Sequence, residues 1–308
     1  MTFAAEAPRA LVTGASGFIG SHLIDRLSRE GWQIAAIARP ASASSLAPLP
    51  SVAKVYTYTG QTSEVVEAVA EFRPTTVFHL GSLFLAQHNT DQIDALISSN
   101  ILFGTQLLEA MRLAQIQTLV NTGTAWQSFR GDGYEPVNLY AATKQAFEDL
   151  LLYYVETAGL KAITLRLFDT YGPNDTRRKL LALLIDLLRM GEPLGMSPGE
   201  QILDLTHVDD ICRAFLHAAS LLQGSEASRH EVYAVSNEER HTLREVVAIF
   251  EDVAKQPLPI TFGTRAYRDR EVMVPWQGTR LPGWHAKISL REGLRRLLLE
   301  ENLLPAEL

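Results

Sequence analysis

The feature that most constrains the fold is a short apolar strand that runs directly into a glycine-rich loop and then into a helical pattern. The strand covers residues 10–13, the loop reads Gly14-Ala-Ser-Gly17-Phe-Ile-Gly20, and the helical pattern covers 19–29. In such a unit Gly14 permits a tight turn, Gly17 lets backbone amides approach a pyrophosphate, and Gly20 permits close packing of helix on strand. The pattern predicts a dinucleotide-binding βαβ unit, with a purely structural turn as the alternative.

Beyond this unit, short apolar or β-branched runs alternate with helical periods. This order predicts an α/β fold with a Rossmann-type, doubly wound parallel sheet, which binds ligands at the carboxyl ends of its strands. The Pro-, Ser- and Ala-rich segment 40–51 predicts a loop. The predicted strands cover 34–38, 55–58, 76–80, 118–122 and 162–167, and the predicted helices cover 64–72, 92–113 and 140–157.

Beyond residue 171 the alternation becomes irregular, which predicts a smaller, discontinuous C-terminal lobe that binds substrate. We expect residues 1–170 and 202–236 to form the dinucleotide-binding domain, and residues 171–201 and 237–308 to form the substrate lobe. The predicted helices of this half cover 179–190, 209–222, 242–253 and a terminal segment, and the predicted strands cover 202–206 and 232–235.

Composition argues against several classes of partner. The formal charge of -7 leaves no basic stripe for phosphate backbones, so we expect no nucleic-acid partner. The single cysteine, Cys212, forbids an internal disulfide and any cysteine-built metal site, so we expect a buried apolar side chain, no metal and a reducing cytosol.

The apolar run 180–188 is interrupted by Asp186 and is shorter than the ~20 residues of a membrane span. Residues 1–8 are too few for a signal peptide, so we expect a cytoplasmic protein without a membrane partner.

Cofactor choice depends on the end of the second predicted strand, which reads Ala38-Arg39-Pro40. An acidic residue here would bond the ribose hydroxyls of NAD, but none is present, and the planar guanidinium of Arg39 could bind a 2′-phosphate. The serines at 42, 44 and 45 could add hydroxyl donors. The alternative is a solvated loop arginine. NADP(H) is therefore the preferred expectation, and NAD(H) stays open.

A tyrosine and a lysine form the candidate catalytic pair. Tyr140 and Lys144 are four residues apart at the start of a predicted helix after the fifth strand, so they share one helix face. A free tyrosine has a pKa of about 10, and an ammonium within about 4 Å is expected to lower that pKa into the working range of an acid-base catalyst. Thr124 ends the preceding strand, and its hydroxyl could polarise the same carbonyl oxygen. The alternative for Thr124 is a strand-end turn residue.

Together these segments resemble the extended short-chain dehydrogenase/reductases, a family that includes UDP-galactose 4-epimerase and nucleotide-sugar dehydratases and reductases. The resemblance covers nearly the whole chain. Within the family, segments 138–144 and 167–173 are most similar to CDP-abequose and CDP-paratose synthases, which reduce CDP-linked 4-keto-6-deoxyhexoses. Further segments that carry the resemblance are His79-Leu-Gly-Ser82, Asn100 with Gly104-Thr105, Leu165-Arg-Leu-Phe-Asp-Thr-Tyr-Gly-Pro173 and Asp204-Leu-Thr-His-Val-Asp-Asp210.

The resemblance implies roles for individual residues. Thr124, Tyr140 and Lys144 would be catalytic. Helices 92–113 and 140–157 would form a four-helix bundle in a homodimer, since Ile93, Leu96, Ile97, Phe147, Leu151 and Tyr154 give them more apolar surface than one face needs. The implied cofactor contacts are Gly14, Ser16, Gly17, Phe18, Ile19, Gly20, Arg39, Leu80, Ser82 and Lys144.

Three positions depart from the family pattern. Asp169 replaces the usual Asn, and a carboxylate facing a pyrophosphate is unfavourable unless it is turned away or paired. Leu203 stands where an arginine often precedes the aspartate, so another cation must meet the substrate's phosphates. Gln61 replaces the usual Asp on the adenine side, which makes it a weak contact. The cation candidates are Arg177, Lys179 and Arg268, with a solvated surface as the alternative for Lys179 and Arg268.

The residues after Thr124 narrow the range of reactions that the site can catalyse. Ala125 and Trp126 replace the Asp-Glu pair with which the family's dehydratases eliminate water. The expected activity is NADPH-dependent reduction of the C4 ketone of a nucleotide-linked 4-keto-6-deoxy sugar. An NAD-dependent nucleotide-sugar 4-epimerase is one alternative, and a non-catalytic dinucleotide-binding sensor is another. The expected partner is a nucleotide-diphosphate sugar, contacted by Thr124, Trp126, Tyr140, Asp169, Arg177, Lys179 and Arg268.

Three other side chains are weaker candidates. Phe84 and His88, like Trp126, could line a sugar pocket but are more often packing residues. His79, inside a predicted strand, is expected to be a hydrogen-bonded core histidine.

Overall fold

A computed structural model describes residues 7–47, 49, 51–131, 133–224 and 230–304. Its centre is a seven-stranded sheet in which all neighbouring strands are parallel. The strands of the chain are β1 (Arg9–Thr13), β2 (Gln33–Ala38), β3 (Lys54–Thr57), β4 (Thr76–His79), β5 (Thr118–Thr124), β6 (Lys161–Leu167), β7 (Asp169–Tyr171), β8 (Leu194–Met196), β9 (Ile202–His207), β10 (His230–Val235), β11 (Arg240–Thr242) and β12 (Ile260–Phe262).

The order of the large sheet is β10-β6-β5-β4-β1-β2-β3, which confirms the expected doubly wound α/β fold. The chain reverses direction across the sheet between β1 and β4, and ligands of such sheets bind at this point. The helices are α1 (Phe18–Arg29), α2 (Pro40–Leu46), α3 (Thr62–Phe72), α4 (Ile93–Ile97), α5 (Phe103–Ala114), α6 (Leu139–Ala158), α7 (Leu180–Met190), α8 (Val208–Gln223), α9 (Leu243–Ala254) and α10 (Leu290–Glu300).

Both faces of the large sheet are covered by helices. One core cluster joins the sheet to α1 and α8, and the other joins it to α3, α5 and α6. The central strands therefore read as continuous apolar runs rather than alternating ones, as in β1, whose Leu11 packs on one face while Val12 packs on the other. Cys212 of α8 is 2% exposed and lies in the first cluster, as expected.

The segment predicted as one helix over 92–113 is helical but not uniform. It begins with a 3₁₀ turn, continues as α4, widens into a π-helical turn at Ser98–Leu102 and ends as α5. The π turn contains Asn100, whose buried amide oxygen accepts a hydrogen bond from the Leu83 backbone at 2.6 Å while its nitrogen donates to Thr143 Oγ1 at 2.9 Å. Asn100 therefore ties the segment after β4 to α6, and π turns often mark functional sites.

The prediction of a loop over 40–51 was wrong for its first half, which forms α2. Pro40 occupies the first helical turn, where its fixed φ suits a helix and its missing N–H costs nothing. Leu46 is buried in the core at the other end, so tertiary packing stabilises a helix of weak intrinsic propensity. Pro48 and Pro50 lie outside the described residues.

The second half of the chain builds two small sheets around their own core. The three-stranded sheet has the order β11-β9-β7, and the two-stranded sheet pairs β12 with β8. A third apolar cluster joins them to α7, α9 and α10. Of the elements expected to return to the first domain, β10 joins the large sheet and α8 packs on it, whereas β9 lies in the three-stranded sheet. The proposed domains remain 1–170 with 202–236, and 171–201 with 237–308.

Within the described ranges, no helix has the length and apolar character needed to cross a bilayer. Residues 1–6, which belong to the segment judged too short for a signal peptide, lie outside those ranges.

Candidate active site

The glycine loop is packed so closely that side chains would not fit at two of its positions. Gly14 has a φ of +70°, and a Cβ there would lie 2.7 Å from the backbone nitrogen of Gly81. A Cβ on Gly20 would lie 2.1 Å from the Gly14 oxygen. Ser16 and Gly17 are exposed where α1 begins, and no side chain caps that helix start. The uncapped amides and the positive end of the helix fit a pyrophosphate.

Two further predicted cofactor segments lie at the same edge of the sheet. Arg39 is exposed directly after β2, with extended backbone angles (φ −64°, ψ 155°) before Pro40. Leu80 follows β4, and its backbone N–H donates to the Thr13 oxygen at 3.2 Å. Ser82 is exposed two residues later. The structure therefore brings Arg39, Leu80 and Ser82 to the carboxyl ends of the strands beside the glycine loop.

Tyr140 and Lys144 lie in the first turns of α6 and are almost fully buried, at 8% and 3% exposure. Asn138 caps this helix, because its Oδ1 accepts a hydrogen bond from the Ala141 N–H at 2.9 Å. The Asn138 amide nitrogen also donates to the Ala86 oxygen at 3.0 Å. One side chain thus fixes both the helix start and the loop that follows β4.

The pKa values of the pair follow from burial rather than from mutual attraction. Burial raises the pKa of Tyr140 to about 12, opposed by a hydrogen bond from Ser82 and the positive charge of Arg177. Burial lowers the pKa of Lys144 to about 8, opposed by the carboxylate of Glu148. The expected lowering of the Tyr140 pKa by Lys144 is therefore wrong here, because removing the phenol from water outweighs the nearby charges.

His79 is the hydrogen-bonded core histidine that was expected. Its ring is 1% exposed and its Nδ1 lies 2.8 Å from Thr13 Oγ1. Burial, reinforced by the charge of Lys144, lowers its pKa to about 3, so the ring is neutral at physiological pH.

The rings of Phe84 and Trp126 lie next to Tyr140 and are called the aromatic wall below. The Phe84 ring lies 5.0 Å from the Tyr140 ring in an edge-to-face arrangement and 5.7 Å from the Trp126 ring. The Nζ atom of Lys179 lies 5.5 Å from the centre of the Phe84 ring. Phe84 is 41% exposed, so this wall faces open space beside the tyrosine. His88 is exposed on the same loop.

Thr124 is buried at the end of β5 and takes part in a local cap. Its Oγ1 accepts a hydrogen bond from the Trp126 N–H at 3.3 Å, so the threonine also has the turn role that was the alternative. Because Phe84 contacts both Trp126 and Tyr140, the end of β5 and the start of α6 meet at this wall.

The three predicted cations differ in where they lie. Arg177 binds Asp175 through Nε and Nη2, both at 2.7 Å, stacks 4.3 Å from the Phe18 ring of α1, and acts on the Tyr140 pKa. Lys179 approaches the aromatic wall. Arg268 is exposed in the 263–271 segment, and none of its described contacts places it beside Tyr140.

Asp169, the acidic departure from the family pattern, is paired. Its Oδ1 lies 3.2 Å from the Nζ atom of Lys179. Pairing was one of the two conditions under which a carboxylate here is tolerable, since it cancels part of the negative charge near a phosphate.

Sequence reasoning missed a buried polar network behind Thr124. Gln127 and Arg166 both donate hydrogen bonds to the carboxylate of Glu148, and Gln127 accepts one from the Thr124 backbone N–H. Glu148 carried a usable signal, since it follows Lys144 by four residues and so lies on the same helix face. Gln127 also carried one, since it follows Thr124 by three residues as in a capping box. Arg166 carried no local signal, because its partner Glu148 lies 18 residues away in the chain.

Comparison with known proteins agrees with this architecture. The model of the NAD dependent epimerase/dehydratase family matches residues 10–235. A CDP-abequose synthase of Yersinia pseudotuberculosis is 28% identical over 285 residues, covering 92% of this chain and 97% of that protein. A UDP-glucose 4-epimerase of Mycolicibacterium smegmatis is 25% identical over 308 residues, covering 94% of this chain and 96% of that protein.

Among solved structures, MoeE5 in complex with UDP-glucose and NAD superposes with a TM-score of 0.77 at 27% identity, covering 96% of this chain and 98% of that chain. The family match extends over the glycine loop, the Tyr140–Lys144 pair and every strand of the large sheet except the first residue of β1. The chain therefore belongs to the NAD dependent epimerase/dehydratase family.

Proposed function

We propose that this protein is an NADPH-dependent reductase that acts on the C4 ketone of a nucleotide-linked 4-keto-6-deoxy sugar. The observation that carries the proposal is the buried Tyr140, which is influenced by Ser82 and Arg177 and has Lys144 one turn further along the same helix. A buried phenol with such neighbours is suited to exchange a proton with a substrate oxygen.

The cofactor would lie along the carboxyl edge of the large sheet. The glycine loop would hold its pyrophosphate, Arg39 its 2′-phosphate, and Lys144 its ribose. Leu80 and Ser82 would border it beyond β4. When bound, NADPH supplies the hydride. The loop residues in this proposal are Gly14, Ser16, Gly17, Phe18, Ile19 and Gly20.

The protonation state of Tyr140 favours reduction. Because its pKa is about 12, the phenol carries its proton at neutral pH and can give it to the developing C4 alkoxide. Thr124 would donate a second hydrogen bond to the same oxygen. Lys144, with a pKa of about 8, is mostly charged at neutral pH and would stabilise the tyrosinate after proton transfer.

The substrate would approach over the aromatic wall. Trp126, like Phe84, offers an apolar face to a deoxy sugar, and Lys179 and Arg177 offer positive charge to the diphosphate. Asp169 would partly neutralise the positive charge that Lys179 presents to the diphosphate. Arg268 would join only if the 263–271 segment turned toward the site.

A 4-epimerase is the second candidate, because relatives of both kinds match the chain. It would use the same Thr124, Tyr140 and Lys144 with retained NAD. The similar MoeE5 structure contains NAD, which supports NAD as an alternative cofactor. An epimerase must begin by removing a proton from a hydroxyl, and a phenol with a pKa of about 12 is protonated at neutral pH, so little of it is present as the required base. A sensor without chemistry has no use for a buried Tyr–Lys pair.

An assay with a panel of 4-keto-6-deoxy and parent nucleotide sugars tests these candidates. We expect NADPH absorbance to fall only with the keto sugars, and more efficiently than NADH absorbance. Inversion of a parent sugar without net consumption of cofactor would identify an epimerase. Tight cofactor binding with neither reaction would identify a sensor.

Assembly as a homodimer in the cytoplasm is part of the same proposal. Of the apolar positions expected at a helical interface, Leu96, Phe147, Leu151 and Tyr154 are buried within the monomer core. The described faces of the interface helices still expose other large apolar side chains, which would be covered by a second copy. These exposed side chains are Ile93, Ile97, Leu102, Leu113, Leu152 and Tyr153.

A further inference from the structure

A chain of buried hydrogen bonds connects the backbone of Thr124 to the middle of α6. Gln127 is 0% exposed, and its Oε1 accepts a hydrogen bond from the Thr124 N–H at 2.9 Å. Its Nε2 donates to Glu148 Oε1 at 2.8 Å and to Gln145 Oε1 at 2.9 Å. Glu148 Oε2 in turn accepts from Arg166 Nη2 at 2.8 Å. We call Gln127, Gln145, Glu148 and Arg166 the Gln127 network.

The chemistry of these groups allows one orientation of the Gln127 amide. The Thr124 N–H is a donor only, and an ionised Glu148 is an acceptor only. A flipped amide would place its NH₂ against the Thr124 N–H and its oxygen against the carboxylate, so both contacts would become repulsive. The Glu148 carboxylate also forms a salt bridge with Arg166. The network is therefore directional, and Gln127 is its link to Thr124.

The residue before Thr124 is shaped for this network. A Cβ on Gly123 would lie 2.9 Å from Arg166 Cγ and 3.0 Å from Glu148 Oε1. The Glu148 carboxylate thus packs directly on the backbone of β5. A residue larger than glycine at position 123 would leave no room for it. Arg166 is held on its other side by the Trp276 ring, whose centre is 5.2 Å from its guanidinium carbon.

Two rigid elements carry the proposed catalytic hydroxyls. Thr124 ends β5, whereas Tyr140 and Glu148 lie on the single helix α6. A hydrogen-bonded tie between Thr124 and Glu148 therefore also sets Thr124 relative to Tyr140. We propose that Gln127 is a positioning residue that holds the Thr124 hydroxyl in register with Tyr140 through Glu148. The proposal rests on the function proposed above and assigns Gln127 no contact with substrate.

A double-mutant cycle tests this role. Gln127→Leu keeps the size of the side chain and removes its hydrogen bonds to Thr124, Gln145 and Glu148. We expect kcat to fall at least about tenfold while KM for NADPH changes less than about twofold. In a Thr124→Val background the same substitution should lower kcat by less than about twofold, because the hydroxyl it positions is gone. An equal loss of kcat in both backgrounds, or no loss in the wild-type background, would overturn the proposal.

A reciprocal exchange of the two residues provides a second test in case the Gln127→Leu variant does not fold. In the double variant Gln127→Glu with Glu148→Gln, the new carboxylate still accepts from Thr124, and the new amide donates to it while accepting from Arg166. We expect the exchange to keep kcat within about threefold of wild type, whereas Gln127→Glu alone, with two carboxylates facing each other, should lose at least about tenfold. Loss of kcat in the exchange equal to that in Gln127→Glu would contradict the role.

Gln201→Leu is a matched control, since Gln201 is also a buried glutamine but lies in the small lobe and bonds Ser197. It should change the melting temperature without changing kcat. If wild-type protein turns over none of the nucleotide sugars, the proposed function fails, and crystal structures decide the positioning role separately. A Thr124 hydroxyl that moves by less than about 0.5 Å in Gln127→Leu would then overturn it, and a larger displacement would support it.

Discussion

Lys179 and Asp169 form an ion pair, with Nζ and Oδ1 3.2 Å apart, next to the aromatic wall of the candidate site. Their side chains are 30% and 40% exposed, so the pair is open to solvent and contributes little to stability. A solvated lysine can exchange a carboxylate for a phosphate at small cost. Asp169 therefore sets how strongly Lys179 attracts an anionic substrate.

The pair gives a prediction on substrate affinity. Asp169→Asn should free Lys179 and lower KM for the nucleotide sugar about two- to fivefold, with kcat unchanged. Lys179→Met should raise KM about tenfold. Arg268→Met serves as the comparison, because this side chain is exposed and none of its described contacts involves the aromatic wall or Tyr140. Steady-state kinetics in the nucleotide sugar measure all three, and a lower kcat in Asp169→Asn at unchanged KM would contradict the assignment.

Tyr140→Phe should abolish proton transfer while leaving the fold intact. The substitution removes only the phenolic oxygen, so we expect kcat to fall about 10²- to 10⁴-fold. NADPH binding, followed by fluorescence titration, should stay within about threefold of wild type. Turnover of Tyr140→Phe at wild-type speed would remove the tyrosine from the mechanism.

Arg39 should decide between the two dinucleotides. Because a hydrogen bond to a charged group contributes about 1.5–3 kcal/mol, Arg39→Ala should lower kcat/KM for NADPH about 10- to 100-fold. NADH carries no 2′-phosphate, so its kcat/KM should stay within about twofold. Equal losses with both cofactors would show that Arg39 does not bind that phosphate.

Burial of Lys144 predicts an unusual pH dependence of stability. The pKa of Lys144 is about 8 in the folded protein and 10.5 for an ordinary lysine, so the unfolded chain holds more protons between these values and stability must rise with pH there. Across the whole window the gain is on the order of 3 kcal/mol. Lys144→Met removes the buried charge and should be more stable than wild type at pH 7.

This advantage of Lys144→Met should shrink as the pH rises from about 8 to 9.5, a range that ends before the phenol of Tyr140 titrates. Urea unfolding of both proteins at several pH values measures the difference. Parallel pH curves for the two proteins would mean that the amine is not desolvated in the folded state.

The exposed apolar side chains of α4, α5 and α6 predict a homodimer at micromolar concentration. Ile97 is 39% exposed on this surface, so Ile97→Glu should place an unpaired charge in the interface and produce a monomer. Light scattering gives the mass of each protein. A monomeric wild-type protein would refute the assembly.

The local part of the fold could be predicted from the sequence. The strand, glycine loop and helix at 10–29, and the Tyr140–Lys144 pair on one helix face, depend on residues at most a few turns apart. Their backbone requirements, such as the positive φ of Gly14, appear directly in residue type. The loop predicted over 40–51 shows the limit, because α2 depends on the burial of Leu46 more than on its own propensities.

The sequence by itself therefore determined the sheet, the loop that fits a pyrophosphate and the identity of the candidate catalytic pair. Only the tertiary structure decided that burial sets the pKa of Tyr140, that Asp169 pairs with Lys179, and that Gln127 connects Thr124 to Glu148. The physical reason is that desolvation and hydrogen bonding depend on which distant segments surround a side chain. That information is absent from the periodicity of any one segment.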